Sequence, residues 1–366
     1  MTIPQRAGLE NFPPYRQGKA PRGIDGVTAY KLSANENPYP PLPSVLAAVT
    51  AAVPSINLYP EMAAEELTLA IADRWGISPD NVALGAGSVE VASQIIHAVT
   101  NPGDSVMFAW RSFEAYPLLA TAAGATPQPI PLTADGGHDL VAMAAAVTPR
   151  TKVIFVCNPN NPTGTVVGAA EVEAFLQSVP ADVVVVLDEA YVHFNTDPGT
   201  AVGIEMFRKY RNVAVLHTFS KAYGLAGLRL GYAIAAAELI TNLRKVAVPF
   251  GVTALAQQAG LASLEAEGEL QERIDVLVAE RRRMYAALLA AGLPVLPSEA
   301  NFLWLNTGGQ TAALAALFEE NALSVRAFAD EGIRITIGTA EANDRVLDVA
   351  RQATGLLAPA ALTPRN

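Results

Sequence analysis

Short apolar runs recur through the middle of the chain, separated by Ala- and Leu-rich stretches long enough to form helices. The runs between residues 81 and 235 are NVALGAG, SVMFAW, TPQPIPL, KVIFVCN, DVVVVLDEA, NVAVLHTFS and LGYAIA. Such runs are typical of strands buried on both faces, and the intervening helices suit parallel crossovers. The pattern therefore predicts an α/β fold with a mostly parallel, seven-stranded type of sheet. Sheets of this kind bind ligands at the carboxyl ends of their strands.

The pattern changes near residue 248, where a second α/β region begins. Strand-like runs there are ANFLWLN, LSVRAF and GIRITIG. Across the whole chain, helices are predicted over 44–53, 62–75, 269–291, 310–320 and 341–355. We expect three segments, which are an N-terminal arm (1–30), a large domain (31–248) and a smaller α/β domain (249–366). The arm can help to complete the smaller domain, and the tail APAALTPRN is predicted to be disordered.

Composition narrows the class of protein. Of 366 residues, 51% are hydrophobic, so the chain can bury a large core. The net charge of −10 argues against a nucleic-acid binder, and the basic cluster ERRR (280–283) is interpreted as an exposed helix face. The single Cys157 excludes an internal disulfide, suits a reducing compartment, and is interpreted as structural. Because no signal peptide or membrane-length apolar segment is evident, we expect a soluble, cytoplasmic protein.

Polar residues follow three of the predicted strands. KVIFVC runs into NPNNPTG, DVVVVL ends in Asp188-Glu189-Ala190-Tyr191, and NVAVLHTF ends in Ser220-Lys221. In a sheet buried on both faces, a carboxylate and an amine at one edge imply either a ligand or an ion pair. Asp188 and Lys221 alone would favour a structural salt bridge.

Further residues around these strand ends favour a ligand. Thr218, Ser220 and Arg229 are suited to a phosphate, and the glycine-rich turn at Gly87-Ser88 offers backbone N–H groups at a predicted helix start. A nucleophilic amine, a carboxylate, a phenol, an amide and a phosphate site are together what pyridoxal 5′-phosphate requires. The sequence therefore predicts this cofactor.

The motifs NPNNPTG, DEAY and TFSKAYGLAGLRLGY occur in this order along the chain. With LSANENP and GIRITIG, they make the chain resemble fold-type I pyridoxal-phosphate aminotransferases. The similarity is to the histidinol-phosphate aminotransferase subfamily, and above all to its actinobacterial aromatic amino acid (phenylalanine) aminotransferases. It covers the chain from residue 32 to residue 338.

The resemblance implies roles for residues at the cofactor. Lys221 forms a Schiff base with the cofactor and carries the substrate proton, and Asp188 pairs with the pyridinium nitrogen. Tyr191 and Asn161 donate to the phenolate oxygen. The phosphate is assigned to Ser220, Arg229, the weaker candidate Thr218, and the turn Gly87, Ser88 and Val89. Phe113 stacks on the cofactor ring, with Trp110 as a competitor, and Tyr59 reaches the partner's phosphate across a homodimer interface.

The resemblance also implies a substrate site and a reaction. Arg334 binds the substrate carboxylate, or a phosphate when histidinol phosphate is bound, and Arg326 is a second anion-binding position unless it is an ordinary surface arginine. Tyr15 and Asn35 belong to a flexible N-terminal segment that closes over substrate. The reaction is a ping-pong transfer of an amino group to 2-oxoglutarate.

Two aromatic stretches favour phenylalanine- or tyrosine-type substrates over the alternative, histidinol phosphate. They contain Trp110, Phe113, Tyr116 and Phe250, unless these rings only pack the core. A phosphoamino acid decarboxylase shares most of these motifs and stays open. A DNA-binding regulator is disfavoured by the acidic charge. The four histidines, which are His97, His138, His193 and His217, match no metal-ligand spacing and are interpreted as structural.

Overall fold

The structure is a computed structural model, and it describes residues 8–10, 12–15 and 18–353. The tail that the sequence predicts to be disordered lies outside these residues. The strands are β1 (Tyr30–Leu32), β2 (Val82–Gly85), β3 (Ser105–Trp110), β4 (Thr126–Pro131), β5 (Thr151–Cys157), β6 (Val184–Asp188), β7 (Val213–Thr218), β8 (Gly231–Ile234), β9 (Val295–Leu296), β10 (Phe302–Leu305), β11 (Leu323–Phe328) and β12 (Gly332–Thr336). The helices are α1 (Pro43–Ala52), α2 (Glu65–Trp75), α3 (Ser88–Val99), α4 (Ala115–Ala123), α5 (Leu140–Ala145), α6 (Ala169–Ser178), α7 (Gly203–Lys209), α8 (Ala237–Val246), α9 (Ala254–Glu265), α10 (Glu267–Ala290), α11 (Thr311–Glu320) and α12 (Ala340–Ala353).

The larger sheet has seven strands in the order β2-β8-β7-β6-β5-β3-β4. Its pairs are parallel except that β8 runs antiparallel to both neighbours. Alternate residues of β5 enter separate buried clusters, with Ile154 and Val156 in one and Val153 and Phe155 in the other. Burial on both faces explains why these strands are continuous apolar runs. The predicted mostly parallel sheet is confirmed.

The smaller sheet has five strands in the order β1-β11-β12-β10-β9. Its first strand, β1, pairs with β11 in parallel, so a segment near the N-terminus completes this sheet as the sequence suggested. Along β11 and β12, which are antiparallel, Arg326 lies opposite Arg334. The proposed domain boundaries stay a prediction, and β1 spans the first of them.

The basic cluster on α10 corrects one interpretation. Arg281 is only 3% exposed, whereas Arg282 and Arg283 are exposed as predicted. The Nη2 of Arg281 lies 2.8 Å from Oε2 of Glu299, and its Nη1 donates to the backbone oxygen of Phe194 at 2.8 Å. Arg281 continues the helix's buried stripe, because it follows Leu277 by four residues and precedes Met284 by three.

In the part of the chain that the structure describes, none of the helices combines the length and the apolarity that a membrane crossing needs.

Candidate active site

The carboxyl edge of the large sheet brings the predicted residues together. Asp188 is the last residue of β6, and it is registered against Cys157 at the end of β5 and Leu216 of β7. Lys221 follows β7 by three residues, and Asn161 lies in the loop after β5. These side chains meet because parallel strands end at the same edge.

Lys221 has an environment that favours the neutral amine. Its Nζ donates to the backbone oxygen of Ala34 at 3.2 Å. Burial lowers the pKa of Lys221 to about 7, and the positive charge of Arg334 acts in the same direction. Within the described residues no ion pair joins Lys221 to Asp188, so the structural salt bridge is not formed. A lysine with a pKa near neutrality is a nucleophile and a base at physiological pH.

Asp188 is a buried carboxylate held by neutral donors. Its Oδ2 accepts a hydrogen bond of 2.7 Å from the Tyr116 hydroxyl, and its Oδ1 accepts one of 3.3 Å from the N–H of Ala190. Burial raises the pKa of Asp188, and the hydrogen bond from Tyr116 opposes this effect. A buried carboxylate without a counter-ion is suited to a positively charged or N–H partner supplied by a ligand.

Tyr191 and Asn35 are hydrogen-bonded to each other beside the lysine, and Asn161 is hydrogen-bonded to Arg334. The Nδ2 of Asn35 donates to the Tyr191 hydroxyl at 3.0 Å, and the Tyr191 ring lies 5.8 Å from the Lys221 amine. Burial raises the pKa of Tyr191, although Arg334 acts in the opposite direction, so the phenol stays protonated and able to donate. The Oδ1 of Asn161 accepts from Arg334, which leaves its amide N–H groups as donors.

A cradle for an anion lies where β2 turns into α3. Gly87 has a φ of 86°, and α3 starts at Ser88, so the N–H groups of Ser88 and Val89 lie in the first helical turn without intrahelical acceptors. A Cβ on Gly87 would collide with the guanidinium of Arg229. The Nη1 of Arg229 lies 3.4 Å from Oγ of Ser220. An arginine, a hydroxyl and a helix start are thus brought together as predicted.

Thr218 is less available than the other predicted phosphate ligands. Its Oγ1 accepts from the N–H of Ser220 at 3.1 Å and donates to the backbone oxygen of Leu230 at 3.4 Å. Both bonds stabilise the turn that carries Ser220 and Lys221.

The two substrate-binding candidates, Arg326 and Arg334, occupy different environments. Arg334 is 7% exposed, and its Nη2 donates to the backbone oxygen of Ser33 at 2.8 Å, while its buried Nε has no partner within the described residues. Arg326 pairs with Glu114, with Nη2 and Oε2 separated by 2.7 Å. The buried Arg334 can therefore bind an anion directly, whereas Arg326 already has a carboxylate partner.

The two predicted N-terminal residues, Asn35 and Tyr15, also differ in their environments. Asn35 is 1% exposed, and its backbone N–H donates to Oγ1 of Thr336 in β12 at 3.0 Å. Tyr15 is 53% exposed and lines a cavity of about 460 Å³ together with Trp110 and Glu114. Tyr15 is therefore placed beside open space, and Asn35 is fixed in the site.

The predicted aromatic residues fall into two groups. Phe113 packs edge-on against Tyr116 at 5.5 Å, next to Asp188, and Trp110 lines the cavity. Tyr59 and Phe250 lie against each other on the surface, with ring centroids 4.7 Å apart, and are 82% and 41% exposed. Within one chain, Tyr59 and Phe250 are therefore not brought to the group around Phe113.

Two contributors to the site went unrecognised in the sequence. The Tyr116 hydroxyl was expected only as part of an aromatic lining, yet it is the side-chain donor to Asp188. Asn37 donates to the backbone oxygen of Ala222 at 2.9 Å and so holds the turn that carries Lys221. Its place in the polar run SANEN was the one available signal.

The environments of His217 and Cys157 fit structural roles. His217 lies between Trp75 and Tyr232, at centroid distances of 5.2 and 5.0 Å. Burial lowers the pKa of His217 to about 3 and raises that of its neighbour Glu189 to about 8. Burial also raises the pKa of the Cys157 thiol, which leaves it protonated and unreactive.

A buried lysine, a buried carboxylate and an anion cradle therefore lie at one edge of a mostly parallel sheet, an arrangement suited to pyridoxal 5′-phosphate. The chain belongs to the family of class I and II aminotransferases, whose pattern matches residues 28–349. The predicted resemblance is therefore confirmed.

Individual relatives agree with this family. The chain is 54% identical to an aromatic amino acid aminotransferase of Streptomyces coelicolor, over 95% of this chain and 96% of that protein. It is 46% identical to an aromatic amino acid aminotransferase of Mycolicibacterium smegmatis, over 100% and 99% of the two chains. Among solved structures, the histidinol-phosphate aminotransferase of Sinorhizobium meliloti in complex with pyridoxal 5′-phosphate superposes with a TM-score of 0.83 at 28% identity, covering 90% of this chain and 92% of that one.

Proposed function

We propose that this aminotransferase acts on aromatic amino acids. It transfers the amino group of phenylalanine- or tyrosine-type amino acids to 2-oxoglutarate in two half-reactions at one site. The observation that carries the proposal is that Asp188 and Lys221 lie at or just after the ends of neighbouring strands at one edge of the large sheet, where Arg334 is hydrogen-bonded to Asn161. The high identity to proteins named aromatic amino acid aminotransferases supports the substrate class.

The donor set fits pyridoxal 5′-phosphate. The amine of Lys221 suits its aldehyde, the carboxylate of Asp188 its ring nitrogen, and the cradle at Gly87 its phosphate. Tyr191 and Asn161 have donors for its phenolate oxygen, and Phe113, beside Tyr116, is better placed than Trp110 to cover the ring. When bound, this cofactor supplies an electron sink for the charge left on the substrate carbon.

The protein's own residues orient the substrate and move its proton. Arg334 binds the substrate carboxylate, since it is a buried guanidinium whose Nε has no hydrogen-bond partner in the part of the chain that the structure describes. The Lys221 amine would remove the proton from the substrate Cα and deliver it to C4′ of the cofactor, which its lowered pKa permits near neutral pH. Asp188 would hold a proton on the ring nitrogen of the cofactor, because its own hydrogen bonds come from neutral donors.

An apolar cavity that Tyr15 and Glu114 help to line is suited to the ring of an aromatic substrate. Its lining is mainly aromatic and proline side chains, namely Phe12, Pro13, Pro14, Phe108, Trp110 and Pro117. A cavity of about 460 Å³ accommodates a phenyl or phenol ring. Histidinol phosphate is the alternative substrate, because similar solved structures are named histidinol-phosphate aminotransferases.

The active protein is proposed to be a homodimer. Exposed apolar side chains gather on the segment before α2 and the segment after α8, and they are Ile56, Leu58, Tyr59, Met62, Val248 and Phe250. The contact between Tyr59 and Phe250 joins the two segments into one surface. Such a surface suits an interface, and it would allow Tyr59 to reach the partner's cofactor site.

A single half-reaction tests the function. Cofactor-loaded protein is mixed separately with L-phenylalanine and L-histidinol phosphate, and conversion of the pyridoxal form to the pyridoxamine form is followed by absorbance. Rapid conversion by phenylalanine is expected. Conversion by histidinol phosphate alone would instead establish the alternative, and release of carbon dioxide from a phosphoamino acid would indicate a decarboxylase.

A further inference from the structure

The charges of the two arginines on the small sheet are balanced differently. Arg326 and Arg334 lie opposite each other on β11 and β12, so they extend from the same face. Arg326 is paired with the carboxylate of Glu114 at 2.7 Å. Among the described residues, Arg334 donates to two neutral oxygens, from Asn161 and Ser33. This face therefore carries two positive charges and one negative charge.

Glu114 enters this group from the large sheet's side. It directly precedes α4, and it lines the apolar cavity beside Tyr15 and Trp110. Desolvation raises the pKa of Tyr15, and the charges of Arg334, Glu114 and Arg326 all act on it. The strand register between Arg326 and Arg334, and the ion pair between Arg326 and Glu114, connect the three charged groups.

We propose that Glu114 is a specificity-determining residue that selects a carboxylate over a phosphate at the anion site of Arg334. The proposal rests on the aminotransferase function given above. By pairing with Arg326, Glu114 leaves one positive charge unbalanced. That charge matches the single negative charge of an α-carboxylate.

A phosphate ester at the same position carries up to two negative charges. To use both arginines it must break the pair between Glu114 and Arg326, or bind beside the Glu114 carboxylate. The first option leaves a partly buried carboxylate unpaired, and the second places like charges close together. Both options disfavour a phosphorylated substrate such as histidinol phosphate.

A neighbouring ion pair provides the matched control. Arg111 and Glu331 also join the β3 end of the large sheet to the β11–β12 turn, with Nε 2.5 Å from Oε2. The guanidinium of Arg111 stacks on Trp110 at 4.6 Å and on Phe328 at 5.1 Å. Neutralising Glu331 changes the charge by the same amount as neutralising Glu114. It frees Arg111, however, which does not lie opposite Arg334 in the small sheet as Arg326 does.

The experiment compares cofactor-loaded wild-type protein with Glu114→Gln, Glu331→Gln and the double variant Glu114→Gln/Arg326→Gln. Calorimetry measures the binding of inorganic phosphate, and the half-reaction gives the preference between L-phenylalanine and L-histidinol phosphate. Glutamine keeps the size of glutamate and an oxygen that can accept from Arg326, so the fold is retained.

We expect Glu114→Gln to bind phosphate at least about tenfold more tightly and to shift the preference toward histidinol phosphate by a similar factor. Glu331→Gln and the double variant should both bind phosphate as the wild type does. The proposal is overturned by an unchanged phosphate affinity in Glu114→Gln, by an equal gain in Glu331→Gln, or by a gain that persists without Arg326.

Phosphate binding requires no turnover, so this test is separate from that of the proposed function. If the wild-type protein converted neither amino compound, the aminotransferase proposal would fail. The calorimetric comparison would still decide whether Glu114 controls the charge of the site.

Discussion

The carboxyl edge of the large sheet and the arginine-bearing face of the small sheet hold their charged groups in different ways. At the edge, burial shifts the pKa values of both Lys221 and Asp188 toward the neutral forms, although the hydrogen bond from Tyr116 opposes this shift in Asp188. On the face, Arg326 is held by Glu114, a residue 212 positions away in the chain. Among the described residues, Lys221 and Asp188 thus have no counter-ion in contact, whereas Arg326, which lies opposite the substrate-binding Arg334, is balanced by a carboxylate from the other sheet's side.

The strongest test of this comparison removes the amine at the edge. Lys221→Ala is expected to lower the half-reaction rate by about a thousandfold or more, because the base and the covalent attachment are both lost. The absorbance of the bound cofactor should change as well. The control is Lys209→Ala, whose exposed lysine pairs with Glu173 and should leave both properties unchanged. A Lys221→Ala protein that still transaminates would refute the assignment.

On the arginine-bearing face of the small sheet, Arg334→Gln should weaken the binding of substrate rather than of cofactor. We expect the KM for phenylalanine to rise by roughly 30- to 100-fold, because a charged, two-pronged contact to the carboxylate is lost. Cofactor affinity should change far less. Arg345→Gln, which removes another arginine near the small sheet, serves as the control. An equal loss of cofactor affinity in Arg334→Gln would mean that the two regions are not separable.

The low pKa of Lys221 also predicts how stability depends on pH in the cofactor-free protein. The folded pKa is about 7 and the reference value is 10.5, so between these values the unfolded chain binds more protons than the folded one. Stability therefore rises with pH across this window, and burial of the charged amine is most costly below pH 7.

Replacing the lysine by methionine should remove this dependence. Lys221→Met is expected to stabilise the cofactor-free protein more at pH 7 than at pH 9, by about 2–3 kcal/mol in the free energy of unfolding. Urea unfolding at the two pH values measures the difference. The exposed control Lys209→Met should show little of it, and equal stabilisation at both pH values would contradict a lowered pKa.

The smallest effect is expected at the positioning residue Tyr116. Tyr116→Phe removes the hydrogen bond that lowers the pKa of Asp188, so this pKa should rise further. We expect a roughly tenfold lower half-reaction rate with little change in KM, and a shifted pH dependence of cofactor absorbance. Tyr232→Phe is a matched control, because its hydroxyl is also buried but accepts from Trp75. Identical pH profiles for Tyr116→Phe and the wild type would rule out the positioning role.

Most of the cofactor edge was predictable because its residues follow strands directly. Once the apolar runs are recognised as parallel strands, Asp188 and Lys221 must lie near each other, since their strands β6 and β7 are neighbours. The helix start at Ser88 was also predictable, because a glycine-rich turn directly follows a strand there.

Arg281 and Glu114 show where such reasoning fails. A basic run suggests an exposed face, yet Arg281 is buried because Glu299 and backbone oxygens from another segment satisfy its guanidinium. Nothing near Glu114 in the chain indicates that its partner is Arg326. Long-range partners of charged side chains leave no local pattern.

The order of strands, helices and strand-end motifs can be predicted from the sequence, because the periodicity of hydrophobic residues and the residues that form turns are local features of a few positions. That information suffices for the sheet, the family and the positions of Lys221, Asp188 and the anion cradle. The balance of charge around Arg326 and Arg334, and the donor to Asp188, arise only when distant segments pack together. Burial then removes water from these groups, so the neighbours that folding supplies set their pKa values and their partners.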